Sequence, residues 1–153
     1  MILECYTDGS AKGNGTSNSL GGWAFCLVHD GKIVGKNSGA VPNTTNQRME
    51  LLAVIKALEA KRDTPERTVI VYSDSAYLIN CVYQKWWVNW QKNGWLNAKK
   101  QPVANRDLWE QLIPYFERPS IAWGKVKGHA GVEFNEIVDG LAQAAAESLK
   151  EER

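Results

Sequence analysis

Asp8 sits in "YTDGS" (residues 6–10), directly after the run Met1–Tyr6, and Asp74 sits in "SDS", directly after "VIVY" (Val69–Tyr72). An Asp-Gly after a strand is by itself a turn signal, because both residues favour turns and Asp can bond its own downstream backbone. The same placement twice in one chain opens a second reading, in which two strands each deliver a carboxylate to one sheet edge. Glu50 in "TTNQRMELL" and Asp139 in "NEIVDGLA" add two more. Each has an ordinary alternative: Glu50 as a solvated helix carboxylate, Asp139 as the partner of a lysine, Asp74 as a helix N-cap. As a set they mean more. Carboxylates crowded together repel one another and resist ionisation, and the arrangement becomes favourable when hard divalent cations lie among them. Oxygen ligands without Cys or His at metal spacing point to Mg²⁺ or Mn²⁺ rather than zinc.

The elements that must position these groups can be read from periodicity. Met1–Thr7 reads as a first strand, and the Gly-, Ser- and Asn-rich stretch Lys12–Gly22 reads as loop. Gly22–Val28 and Lys32–Ser38 flank "HDG", a hairpin signal. Leu51, Leu52, Ile55 and Leu58 follow helical spacing within Arg48–Ala60, with cap residues available from Asn43 to Asn46. A β-branched strand at Val69–Ser73 precedes a helix from Ala76, and a helix from Asn105 or Arg106 to Phe116 contains Pro114. Ile121–Val126 reads as a fifth strand, "KGHAG" as loop, and about Asn135–Leu149 as the last helix. The order is β-β-β-α-β-α-α-β-α. Short turns make the first three strands antiparallel, while strands four and five, reached through helices, run parallel to strand one. The expected fold is α/β: a mixed five-stranded sheet with helices on both faces, in one domain covering residues 1–153. If strands one and four are neighbours, Asp8 and Asp74 emerge side by side at the carboxyl ends of parallel strands, where open α/β sheets bind ligands.

Composition bounds the function. The 153 residues are 44% hydrophobic and 23% charged, which is globular rather than disordered. Cys5, Cys26 and Cys81, odd in number and widely spaced, make a poor disulfide framework and suit small buried side chains in a reducing compartment. No apolar run reaches the length of a membrane span and no signal-peptide pattern is present, so a cytoplasmic chain with no membrane partner is expected. The net charge of +1 hides an asymmetry. From Ser75 to Arg106 there is no acid, but there are Lys85, Lys92, Lys99, Lys100 and Arg106, interleaved with Trp86, Trp87, Trp90 and Trp95. Positive charge with aromatics suits a nucleic-acid backbone with stacking.

"YTDGS", "TTNQRMEL", "VYSDS", "VKGHAG" and "NEIVDGLA" resemble type 1 ribonuclease H, in its free-standing bacterial form, in order and spacing from Met1 to about Leu149. The resemblance implies that Asp8, Glu50, Asp74 and Asp139 are catalytic carboxylates holding two Mg²⁺ ions, with Mn²⁺ possible. It implies that His129, in a loop before the last helix, is a mobile histidine that carries protons or aids product release. The implied reaction is endonucleolytic hydrolysis of the RNA strand of an RNA–DNA hybrid, leaving 5′-phosphate and 3′-hydroxyl ends. By the same match, Asn14, Asn46, Ser75 and Asn105, together with Glu50, lie near 2′-hydroxyls, whose recognition separates RNA from DNA. Residues 85–106 match a basic handle. There Trp86 and Trp90 would line the DNA-strand channel, Thr45 and Asn105 would hold a DNA phosphate, and Lys92, Lys99 and Lys100 would supply electrostatics. A monomer without an obligate protein partner is expected. Two departures stand out: "GNGTSNSLGG" replaces the proline-containing glycine loop of bacterial members, and Gln47 stands where a second Asn is frequent. The alternatives are a DNA exonuclease, resolvase or integrase core of the wider superfamily, a hybrid-binding module that has lost catalysis, and a fragment of a reverse transcriptase.

Overall fold

The computed structural model describes residues 2–61, 68–125 and 129–151, the side chains of residues 129–132 and 151 excepted. The sheet is built from β1 (Ile2–Lys12), β2 (Leu20–His29), β3 (Lys32–Pro42), β4 (Thr68–Tyr72) and β5 (Ile121–Gly124). Its spatial order is β3-β2-β1-β4-β5. The first three strands are antiparallel, and β4 and β5 are parallel to β1, as the order of elements required. Asp30 and Gly31 turn the β2–β3 hairpin with φ of 49° and 73°, the left-handed pair that a two-residue turn between twisted strands needs.

The described residues form five helices: α1 (Asn46–Ala60), α2 (Ala76–Gln84), α3 (Trp86–Asn93), α4 (Arg106–Phe116) and α5 (His129–Glu151). Alternation along the central strands divides the core in two. Leu3 and Cys5 of β1 and Trp23, Phe25 and Leu27 of β2 pack with α1 to α4 on one face. Tyr6, Ala24, Cys26 and Val28 pack with Val138 and Ala142 of α5 on the other. Two glycines set the depth of these layers. A Cβ on Gly9 would lie 2.2 Å from the Met49 carbonyl carbon and 2.5 Å from the Glu50 nitrogen, and one on Gly22 would lie 1.9 Å from the Ala142 oxygen. Only glycine lets α1 and α5 approach the strands so closely.

Several boundaries differ from the sequence reading, each for a physical reason. β1 does not stop at Thr7. Its ladder with β4 ends at Tyr6↔Tyr72, but its ladder with β2 continues from Asp8↔Ala24 to Lys12↔Leu20, so the first loop shrinks to residues 13–19. A fifth helix, α3, occupies the tryptophan-rich tract. Its junction with α2 is made by Lys85 in the left-handed conformation, φ 53°, with no Gly or Pro to announce it. α4, by contrast, keeps the bounds read from the sequence and runs through Pro114 to Phe116, because so near the helix end the missing N–H costs one bond. α5 begins at His129 rather than Asn135, since its apolar period already includes Phe134, four residues before Val138. His129 is therefore helical in backbone, not in a loop; its side chain lies outside the described residues.

Candidate active site

Asp8 lies two residues beyond the last β1–β4 pair, Tyr6↔Tyr72, and Asp74 lies two residues beyond it on the other chain segment. The sheet opens between them. Asp8 stays in line because β2 still holds it, while Ser73 turns away, its N–H bonded to the Gly124 carbonyl at 3.1 Å. Asp74 does not cap α2. Ser75 does, accepting the Leu78 N–H at 3.1 Å, which leaves the Asp74 carboxylate free and exposed. Glu50 rides in the second turn of α1, whose start is capped by Thr45 through a 3.2 Å bond from the Arg48 N–H. Asp139 is on the exposed side of α5 and accepts from the Gln143 amide at 3.1 and 3.2 Å.

Electrostatics join these four. Burial pushes the Asp8 carboxyl up to about 8, aided by its hydrogen bond with Asp139 and by the charges of Asp74 and Asp139. Burial also raises Glu50, the Asp74 charge adds to this, and the Ser75 hydroxyl opposes it. Each carboxylate thus senses another, across β1, the turn after β4, α1 and α5. Among the described residues none of the four is paired with Lys or Arg, and no three His, Cys, Asp or Glu side chains already stand as a coordination cluster. The donor set fits a hard divalent cation in chemistry: all-oxygen, anionic and short of positive charge. The shift at Asp8 comes first from burial and then from Asp139 and Asp74, the second part being the mark of carboxylates close to one another.

Around the carboxylates, Asn14 and Asn46 hold the first loop. The Asn46 N–H donates to Asn14 Oδ1 at 2.7 Å, and the Ala11 N–H donates to Asn46 Oδ1 at 2.6 Å. Both amides spend their oxygens on backbone and keep their NH₂ donors. Ser19 and Thr44 clamp the other side of this loop at 2.6 and 2.9 Å. The chain without proline is therefore tied to the start of α1 by hydrogen bonds. Ser75 is 3% exposed, with its hydroxyl committed to the α2 cap and Glu50, so its side chain faces inward.

The handle packs into the same core as α1, α2 and α4. Trp87 and Trp95 are buried with Trp109 of α4, while Trp86 and Trp90 are half-buried. Trp86 and Trp90, with Asn89, Asn93 and Asn97, line an open cavity of about 470 Å³. Lys92, Lys99 and Lys100 are exposed. Asn97 folds the tip, its Oδ1 accepting from the Lys99 and Gln101 N–H groups at 2.9 and 3.0 Å.

Two residues escaped the sequence reading. Arg48 forks onto Asp107, with Nη1 to Oδ1 at 3.0 Å and Nη2 to Oδ2 at 2.7 Å, and its Nη1 reaches Asn105 Oδ1 at 3.4 Å. Tyr77 accepts from Asn105 Nδ2 at 3.3 Å and from Trp109 Nε1 at 3.1 Å. A signal for Arg48 existed: a cation in the first turn of a helix opposes the helix dipole and implies a partner elsewhere.

A family model described as RNase H matches residues 2–147. The chain is 48% identical over 144 residues to "Ribonuclease H" of Syntrophomonas wolfei, covering 94% of this chain and 95% of that one. A crystal structure of LC9-RNase H1, "a type 1 RNase H with the type 2 active-site motif", superposes with a TM-score of 0.75 at 29% identity, over 96% of this chain and 72% of that one. A foamy viral protease-reverse transcriptase solved with an RNA/DNA hybrid superposes with a TM-score of 0.81 at 22% identity; the match covers 94% of this chain and 20% of the viral one. At that identity the viral likeness shows the fold alone.

Proposed function

The chain belongs to the ribonuclease H family and is a ribonuclease H enzyme, and from that premise we propose that it cleaves the RNA strand of RNA–DNA hybrids at Asp8, Glu50, Asp74 and Asp139, leaving 5′-phosphate and 3′-hydroxyl ends. The observation that carries the reading is a chain of pairwise interactions where β1 and β4 part, Asp8 with Asp139 and Asp74 and Asp74 with Glu50, none of the four paired with Lys or Arg among the described residues.

These four residues would hold two Mg²⁺ ions, or Mn²⁺; when bound, such a pair activates the attacking water and stabilises the leaving 3′-oxygen. The chain's own residues do the rest. Ser75 holds Glu50 in place and Gln143 holds Asp139. The free NH₂ groups of Asn14 and Asn46 suit the oxygen of a 2′-hydroxyl on the RNA strand. Thr45 and Asn105 suit a phosphate of the DNA strand, with Trp86 and Trp90 stacking along it and Lys92, Lys99 and Lys100 neutralising neighbouring phosphates. His129 would move protons or help the product leave, a task for a group that titrates near neutrality. Among the described residues no helix is long and apolar enough to cross a membrane. The state proposed for the enzyme is a single-domain cytoplasmic monomer acting on hybrid.

The test is incubation with labelled hybrid, RNA duplex and DNA duplex, with and without Mg²⁺. Cleavage of the hybrid's RNA strand alone, only with metal, is the expected result. Cutting of DNA duplex would move the chain to another branch of the superfamily. Asp74→Asn should reduce turnover by about a hundred- to a thousandfold without loss of fold, the range seen when one group that stabilises transition-state charge is removed. Near-normal turnover by this variant in Mg²⁺ would sink the metal assignment.

A further inference from the structure

We propose that Arg48 is a positioning residue whose grip on Asn105 leaves the Tyr77 hydroxyl as a hydrogen-bond donor to the DNA-strand phosphate; this rests on the proposed binding of hybrid. The reasoning is one of donors and acceptors. A guanidinium only donates, so the atom of Asn105 that faces Arg48 at 3.4 Å must be Oδ1. The amide orientation is thereby fixed, and Nδ2 must face Tyr77, at 3.3 Å. The Trp109 indole N–H also only donates, and it reaches the same hydroxyl oxygen at 3.1 Å. Tyr77 Oη therefore accepts twice, and its own proton must point elsewhere. Among the described residues no acceptor receives it. Trp86 and Trp109, with ring centroids 6.1 and 5.1 Å from that of Tyr77, hold the phenol in place. A phosphate oxygen, which only accepts, complements that one loose proton.

Arg48 can do this because Asp107 holds both ends of its fork, at 3.0 and 2.7 Å, and raises the guanidinium's hold on its charge. Lysine offers a point charge without the planar fork and cannot serve both Asp107 oxygens and Asn105 together. In Arg48→Lys the Asn105 amide is free to turn over, present Oδ1 to Tyr77 and take up its proton. The charge would be kept and the donor removed.

The experiment compares wild type, Tyr77→Phe, Arg48→Lys and the double variant, by anisotropy of fluorescein-labelled hybrid without metal and by steady-state cleavage with Mg²⁺, each across a salt series. Loss of one neutral donor should raise Kd and KM roughly three- to tenfold. At saturating hybrid kcat should hold, and the salt slope should not change, because no charge is removed. The double variant should resemble Tyr77→Phe, since both changes remove one proton from the same hydrogen bond. A purely structural role for Arg48 and Tyr77 predicts lowered melting temperatures with Kd and KM unchanged, and that result overturns the proposal. So does a double variant whose cost is the product of the singles. If Arg48→Lys fails to fold, Tyr77→Phe decides alone. A wild type that neither binds nor cleaves hybrid removes the reading beneath the proposal, and the proposal with it; a wild type that cleaves hybrid beside an unaltered Tyr77→Phe removes the proposal only.

Discussion

Without metal, Asp8 retains its proton at neutral pH, held there first by burial and then by Asp139 and Asp74. Its folded pKa of about 8 lies above the ordinary 3.8, so the folded state binds more protons than the unfolded state between those values. The stability this group contributes is complete below 3.8 and is lost as pH rises through 8. Glu50 shifts in the same direction and adds to the same slope. Metal-free protein should therefore melt at lower temperature at pH 8 than at pH 5.5, and Asp8→Asn should flatten that slope. At pH 8 the substitution should stabilise metal-free protein by on the order of 2 kcal/mol. Mg²⁺ favours the ionised form, so its stabilising effect on wild type should grow from pH 5.5 to pH 8 and shrink sharply in Asp8→Asn. Thermal melts at two pH values, with and without Mg²⁺, measure all of this. Equal pH slopes for wild type and Asp8→Asn would mean that the folded state does not hold the Asp8 carboxyl above its ordinary value.

At the scale of elements, the sheet was legible because its strands are short apolar runs with clear turn chemistry between them, and parallel pairing follows from helical crossovers. The two aspartates were legible because each follows such a run. The handle helix α3 was not: "WWVNWQKN" has no breaker before it, and Lys85 makes the turn by adopting φ 53° itself. The start of α5 was hidden by Gly128 and Gly131, which read as loop. The Arg48–Asp107 pair joins residues 59 apart, and no local pattern encodes it. The glycines carry more of the site than their composition suggested. Gly9 places the backbone of Glu50 against β1, and Gly22 places α5 one turn from Asp139. A methyl at either position meets backbone, which cannot swing aside. Gly9→Ala should cost about 1–3 kcal/mol of stability. It should also reduce activity beyond what the unfolded fraction explains, because α1 must shift and carry Glu50 with it. Gly35→Ala is the control: its Cβ would first meet Leu27 Cδ1 at 3.5 Å, an ordinary van der Waals distance. Melting temperature and activity at 25 °C separate the two variants. A Gly9→Ala protein as active as Gly35→Ala would show that α1 does not set the position of Glu50.

At the scale of the whole molecule, a net charge of +1 conceals a division of labour. Asp8 and Asp74 stand where β1 and β4 part, and Ser75–Arg106, which includes the handle at residues 85–106, carries cations and no acid. In the proposed function, opposite signs on the two regions would let one hold phosphates while the other concentrates negative charge for cations. Lys92, Lys99 and Lys100 are exposed, and their removal opens no cavity. Changing all three to Ala should therefore leave the melting temperature almost unchanged while weakening hybrid binding. Each phosphate that is no longer neutralised should reduce the slope of log affinity against log salt by about one, so the slope of the triple variant should fall by up to about three. At saturating hybrid the cleavage rate should hold, because the carboxylates are untouched. A merely solvated charged face predicts no change in affinity at low salt. KM and kcat across a salt series distinguish the two. An unchanged KM with an unchanged slope would take these lysines off the binding surface; a fall in kcat at saturation would mean instead that the handle also orients the hybrid over the carboxylates, and that positioning and charge are one function of the same element.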